Sequence, residues 1–278
     1  MIRETAALTK RELLRLARNP QAIATSLLLP ILYLLLFGQG FNLGALLTLG
    51  FPASYELALV RGAPTYFSYF AAGMAGFVAV TATLFIGANV IFDKLFGILK
   101  RISSTPASAA SIFGARLIAG SIQPIGLAFL VLGLAVALGR LGLSGLQVTA
   151  SVGPVGAVEI VLAIVILSVM FASLFLAIGF SLEQPQTYFA VVNAINLPVL
   201  LTSAALYPWG FMPSWLQNIA SYNPITLAVE VIRINLFAGA ASYYPYSSWV
   251  YLAGLLGWAV GMNLVATLLA RRALGPRH

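Results

Sequence analysis

The sequence predicts an all-α membrane protein: six transmembrane helices with an N-terminal amphipathic interface helix, a cytoplasmic loop after the second span and extracellular re-entrant or interfacial helices before the sixth. Three observations predict it. Of 278 residues, 60% are hydrophobic and only 8% are charged, which lies far outside the range of water-soluble domains. Six apolar stretches, near 22–41, 65–92, 112–138, 155–181, 187–206 and 247–270, carry no central Lys or Arg. Each has about the 20 residues needed to cross a hydrocarbon core about 30 Å thick. The 15 basic residues are distributed asymmetrically between the loops. The chain reads as one transmembrane domain over 1–278, with an interfacial helix at 1–21, a six-span bundle at 22–270 and a short tail at 271–278.

Charge sets the orientation. With the N-terminus inside, the inner segments hold Arg3, Lys10, Arg11, Arg15, Arg18, Lys94, Lys100, Arg101, Arg116, Arg271, Arg272 and Arg277, while the outer ones hold only Arg61, Arg140 and Arg233. Lys and Arg near span ends are retained on the cytoplasmic side, so both termini are expected in the cytoplasm of a multi-pass plasma-membrane protein. Trp and Tyr favour the headgroup zone, and their crowding between Tyr207 and Tyr251 places that segment at the outer interface. The net charge of +8 is thereby assigned to topology and to the anionic lipid of the bilayer, with no nucleic-acid partner.

The first 18 residues have a helical periodicity. Glu4, Arg11, Arg15 and Arg18 fall on one side, and Ile2, Ala6, Leu13, Leu16 and Ala17 fall on the other, a pattern suited to lying flat on a membrane surface. Asn19-Pro20 ends it. The first span follows this charged segment and is longer than a signal h-region, so it is read as retained. Pro30, Pro124 and Pro198 mark kinks in spans one, three and five.

Span two has small residues at a four-residue interval, namely Ala71, Ala75, Ala79, Thr83 and Gly87. Such a stripe lets helices approach closely where no hydrophobic force drives them together. Gly40/Gly44 and Gly257/Gly261 repeat the spacing and are read as packing within the chain. The loop that follows, Phe92 to Ala119, is basic and punctuated by Gly97 and Pro106.

The available chemistry is sparse. Cysteine is absent and His278 is the sole histidine, which removes thiol catalysis, disulfides and the usual nitrogen and sulfur metal sites. No carboxylate lies mid-span, contrary to the expectation for an ion-coupled carrier. Polar candidates inside the bilayer are Asn193 and Asn196, three apart and expected on one face of span five. Glu230 and Arg233, also three apart, are expected to pair in the outer segment, either as a gate latch or as a structural ion pair. A secondary transporter or channel, and a non-transport assembly module, are the other function classes compatible with these residues.

Three segments carry a resemblance. They are KRELLRLARNPQAIATSLLLPILYLLLFG at 10–38, FDKLFGILKRISSTPASAASIFGARLI at 92–118 and FMPSWLQNIASYNPITLAVEVIRINLFAG at 211–239. Their order and spacing resemble the ABC-2 type permease family, the membrane subunits of ATP-driven exporters, and the Gly-x-Leu-Lys-Arg before Thr-Pro is most similar to the drug and antibiotic branch. Lys100-Arg101 stands where many members have a more acidic helix.

The resemblance implies a non-enzymatic permease subunit that moves an amphipathic drug-like, lipid or glycan-linked substrate out of the cell. Since no G-x-x-x-x-G-K-[ST] phosphate loop is present, it implies a separate P-loop ATPase partner that holds ATP and Mg, and a second permease copy. By the same resemblance, Arg11, Arg15, Arg18, Asp93, Lys94, Gly97, Lys100, Arg101, Thr105 and Pro106 couple to the ATPase. Tyr33, Phe37, Asn193 and Asn196 line the path, and Glu230 and Arg233 form the outer hairpin pair.

Overall fold

The computed structural model describes residues 6, 9–11, 14, 18, 20–40, 50, 52–103, 109–141, 145–150 and 152–274. In chain order its helices are α1 (Pro20–Gly40), α2 (Ala53–Leu59), α3 (Tyr66–Thr81), α4 (Leu84–Leu95), α5 (Ile98–Ser103), α6 (Ala109–Arg140), α7 (Pro154–Ser181), α8 (Pro185–Leu201), α9 (Ser214–Tyr222), α10 (Pro224–Leu236) and α11 (Ser248–Leu274). Short 3-10 turns at Trp209–Phe211 and Ala240–Tyr243 join them. No strand occurs among the described residues.

Among the described residues four helical segments are long and apolar enough to cross a bilayer: Tyr66–Leu95, Ala110–Arg140, Pro154–Ser181 and Ser248–Ala270. The other two expected spans are shorter. The apolar part of α1 is Ser26–Gly38, and α8 has 17 residues, near the lower limit for a spanning helix. Pro30, Pro124 and Pro198 all lie inside helices. The amphipathic helix expected over 1–18 falls largely outside the described residues. Of its members, Arg11 and Arg18 are exposed.

The bundle is organised around α7. It is apolar on all sides and contacts α11, α4, α6, α10 and α3, as suits a helix whose second half is enclosed by the bundle and whose first half is partly exposed. Its descent brings Glu159 close to the start and Phe180 close to the end. The second span is interrupted at Ala82-Thr83. There the Thr83 hydroxyl donates to the Val80 carbonyl at 2.5 Å, and the Thr81 hydroxyl donates to Phe77 at 2.9 Å. Side-chain hydroxyls that take carbonyls of the preceding turn loosen the regular ladder, which a reading of 65–92 as one continuous span misses.

The small residues of this span are buried as the stripe requires. A Cβ at Gly73 would overlap the Ala205 carbonyl, and one at Gly179 would overlap the Gly87 backbone, so α4 and α7 cross with their main chains touching. Gly257 and Gly261 correct the packing expectation: a Cβ at either meets nothing within 4 Å. They form the floor of a groove. The Gly40/Gly44 pair extends beyond the described residues.

Candidate functional site

Three groups of side chains come from the sequence reading, and the structure treats them differently. At the end of the bundle where α4 stops, the helix is closed by Gly97 with φ +68°, the left-handed conformation that glycine adopts without strain. Phe96 and Gly97 donate their N–H groups to Phe92 and Lys94 carbonyls at 2.9 and 3.0 Å, and α5 then starts.

Asp93 and Lys94 do not project from this loop. Asp93 is buried and accepts from the Arg116 guanidinium at 2.6 Å. The ammonium of Lys94 donates to the carbonyls of Gly179, Phe180 and Leu182 at 3.1, 2.6 and 2.8 Å. These are the orphan carbonyls at the end of α7, where a cation is favoured by both hydrogen bonding and the helix dipole. The two residues therefore tie α4 to α6 and to α7, which makes them positioning groups. Exposed at the same place are Leu95, Phe96 and Arg101. The first two are apolar, and sequence reasoning passed over them because a membrane chain is apolar almost everywhere. Thr105, Pro106 and Arg15 lie outside the described residues, as does the side chain of Lys100.

The path candidates divide. Tyr33 and Phe37 meet edge to face at 5.5 Å, and α3 supplies Phe77 to Tyr33 at 5.8 Å and Phe70 to Phe37 at 6.3 Å. Asn193 and Asn196 do not share a setting: Asn193 is exposed and Asn196 is buried. Three residues place side chains about 60° apart around a helix axis, and the edge of the α8 packing surface runs between them. Both helices border the interrupted second span, α1 against α3 and α8 against α4.

The third group is the most developed. Asn223 caps α10 by accepting the Ile225 N–H at 2.9 Å, and its amide donates to the Val199 carbonyl at 2.6 Å. Pro224 occupies the first helical position, where its missing N–H is not needed. This Asn-Pro start aims Glu230 and Arg233 into the bundle with no side-chain exposure. Their mutual distance is 4.0 Å.

The closer partner of Glu230 is Arg61, which donates to Oε2 at 3.1 Å. The pairing expected from the i, i+3 spacing is thus present but secondary. Arg61 lies 169 positions away in sequence, in a turn where its own φ is +48° and that of Gly62 is +78°, and no local pattern signals it. Its guanidinium stacks 3.4 Å from the Trp209 ring and 5.0 Å from Tyr244. Arg233 stacks 3.4 Å from Tyr69 and donates to the carbonyls of Tyr69, Ala204 and Ala205 at 2.9 to 3.3 Å. Burial pushes the Tyr244 phenol well above its usual value, and it raises the Glu230 carboxyl as well, opposed by the two guanidinium groups beside it.

Beside this cluster a half-open groove of about 920 Å³ runs between α10 and α11. Among the described residues no group of acidic or histidine side chains is arranged to hold a metal.

The comparison with known sequences adds a decisive match, since the signature of the ABC-2 type transporter matches residues 3–237. The chain belongs to the ABC-2 type transporter family. It is 28% identical to the putative transport permease ycf38 of Cyanophora paradoxa, over 91% of this chain and 78% of that one. It is 30% identical to the ycf38 protein of Pyropia yezoensis, over 84% and 74%. It is 25% identical to the probable doxorubicin resistance ABC transporter permease protein DrrC of Mycobacterium tuberculosis, over 96% and 86%. As an ABC-2 permease this chain is a membrane subunit of an ABC transporter, and its apolar helices are those of a multi-pass membrane protein.

Proposed function

We propose that this ABC-2 permease is the export channel of an ATP-driven transporter, working as two copies with a separate P-loop ATPase that binds ATP and Mg. The observation that carries the reading is the anchorage of the loop between α4 and α6. A force applied at Leu95, Phe96 and Arg101 passes through Asp93–Arg116 into α6, and through Lys94 into the end of α7. Since α7 touches most of the bundle, movement of the loop displaces the whole subunit. In this reading the loop and both termini face the cytoplasm of the plasma membrane, Arg11 and Arg18 flank the same docking region, and the aromatic surface of Tyr33 and Phe37 faces an amphipathic substrate. The similarity to a doxorubicin resistance permease supports a drug-like cargo.

Affinity purification from native membranes in mild detergent tests it. A P-loop ATPase is expected in equimolar amount with the wild-type chain and lost from the Phe96→Glu/Arg101→Glu variant. Absence of any ATPase after crosslinking would overturn the proposal.

A further inference from the structure

The cavity between α10 and α11 is separate from the aromatic surface on α1 and belongs to none of the roles above. Its floor is Gly254, Gly257 and Gly261, with Val250 and Val265 at its two ends. At 1.5 Å per residue it follows α11 for about 22 Å, more than the depth of one leaflet's hydrocarbon. The walls are almost wholly apolar, and a Cβ on Gly257 or Gly261 would enter open space.

At the head of the cavity stand Arg61 and Glu230. The Arg61 guanidinium has several N–H groups and makes one hydrogen bond among the described residues, to Glu230. Glu230 Oε1 is buried and accepts none there. Arg233, 4.0 Å from that oxygen, is committed to the main chain. The cluster therefore holds one positive charge in excess inside a protein that spans a membrane, where unbalanced charge is strongly disfavoured.

We propose that this groove is a binding site for an anionic glycerophospholipid. One acyl chain lies along the glycine floor of α11, the phosphate accepts from Arg61, and a headgroup hydroxyl donates to Glu230 Oε1. Phosphatidylglycerol has this chemistry: its negative charge balances the excess guanidinium and its glycerol supplies the donor.

Native mass spectrometry of the delipidated, detergent-purified chain tests the site, with phosphatidylglycerol and phosphatidylcholine of identical acyl chains added in turn. The wild type is expected to retain phosphatidylglycerol with about tenfold preference, the size of one charge-assisted contact. Arg61→Gln, which leaves Glu230 with Arg233, is expected to lose the preference, and Arg61→Lys to keep most of it. Gly257→Leu/Gly261→Leu, which fills the groove without touching the cluster, is expected to abolish retention of both lipids. Equal retention of the two lipids by the wild type, or unchanged retention by the filled-groove variant, would sink the proposal. So would a second copy of the chain protecting the groove in place of lipid.

Discussion

At the scale of single residues, two kinds of position dominate: charges held by main-chain groups and glycines pressed against main chain. Arg233 is the sharpest case of the first kind. Its guanidinium satisfies carbonyls at the turn after α8, including those of Ala204 and Ala205, and it also neutralises Glu230. Arg233→Gln removes the donor from those carbonyls while Glu230 keeps Arg61 at 3.1 Å, so a loss of about 1–3 kcal/mol is expected, the range for leaving buried hydrogen-bonding groups unsatisfied. Thermal unfolding followed by fluorescent size exclusion checks it. A midpoint within a degree of the wild type would mean that the cluster contributes little. Gly73 represents the second kind: Gly73→Val drives a side chain into the Ala205 carbonyl. It is expected to abolish monodisperse protein, whereas Gly133→Val, in open space, should be neutral in the same assay.

At the scale of elements, the break at Ala82-Thr83 and the anchorage of α4 work together. Below the break α4 is fixed to α7 by the Gly87–Gly179 crossing and by Lys94, and to α8 by the Tyr188 hydroxyl, which donates to the Leu84 carbonyl at 2.7 Å. Above it α3 is fixed to α6, α1, α10 and α7. The two halves share α7, but their other main neighbours differ: α1, α6 and α10 for α3, and α8 for α4. Coupling through Asp93–Arg116 predicts that Arg116→Ala lowers transport-linked ATP hydrolysis about tenfold or more while the assembled complex is retained. That effect corresponds to about 1.4 kcal/mol of lost coupling. The exchange Asp93→Arg/Arg116→Asp should recover part of the activity, and failure of both variants to assemble would show that the pair serves folding alone.

Legibility in the sequence followed the range of each interaction. The apolar helices, the helix start at Asn223-Pro224 and the turn at Gly97 are written in a few adjacent residues, and each appears in the structure. Arg61 on Glu230 and Lys94 on the end of α7 join positions far apart in the chain, and no periodicity announces them. Gly257 and Gly261 were misjudged for another reason: small-residue spacing says that a surface is flat, not what covers it.

At the scale of the whole molecule, one chain leaves several helices sparsely covered, α11 among them. Leu28, Leu32 and Leu36 of α1 and Leu197 and Leu201 of α8 are exposed, but in lipid that alone decides nothing, because an acyl chain is as apolar as leucine. The decisive measurement uses a property of the sequence itself. With no native cysteine, each introduced thiol reports alone, and disulfide formation demands Cα atoms within about 7 Å. If α1 and α8 meet a second copy, then Leu36→Cys and Leu201→Cys should give oxidant-dependent dimers in membranes, while Leu264→Cys on the exposed side of α11 should stay monomeric. The reverse pattern would move the subunit interface to α11. It would also close the groove beneath Arg61, so one experiment bears on both the assembly and the lipid site.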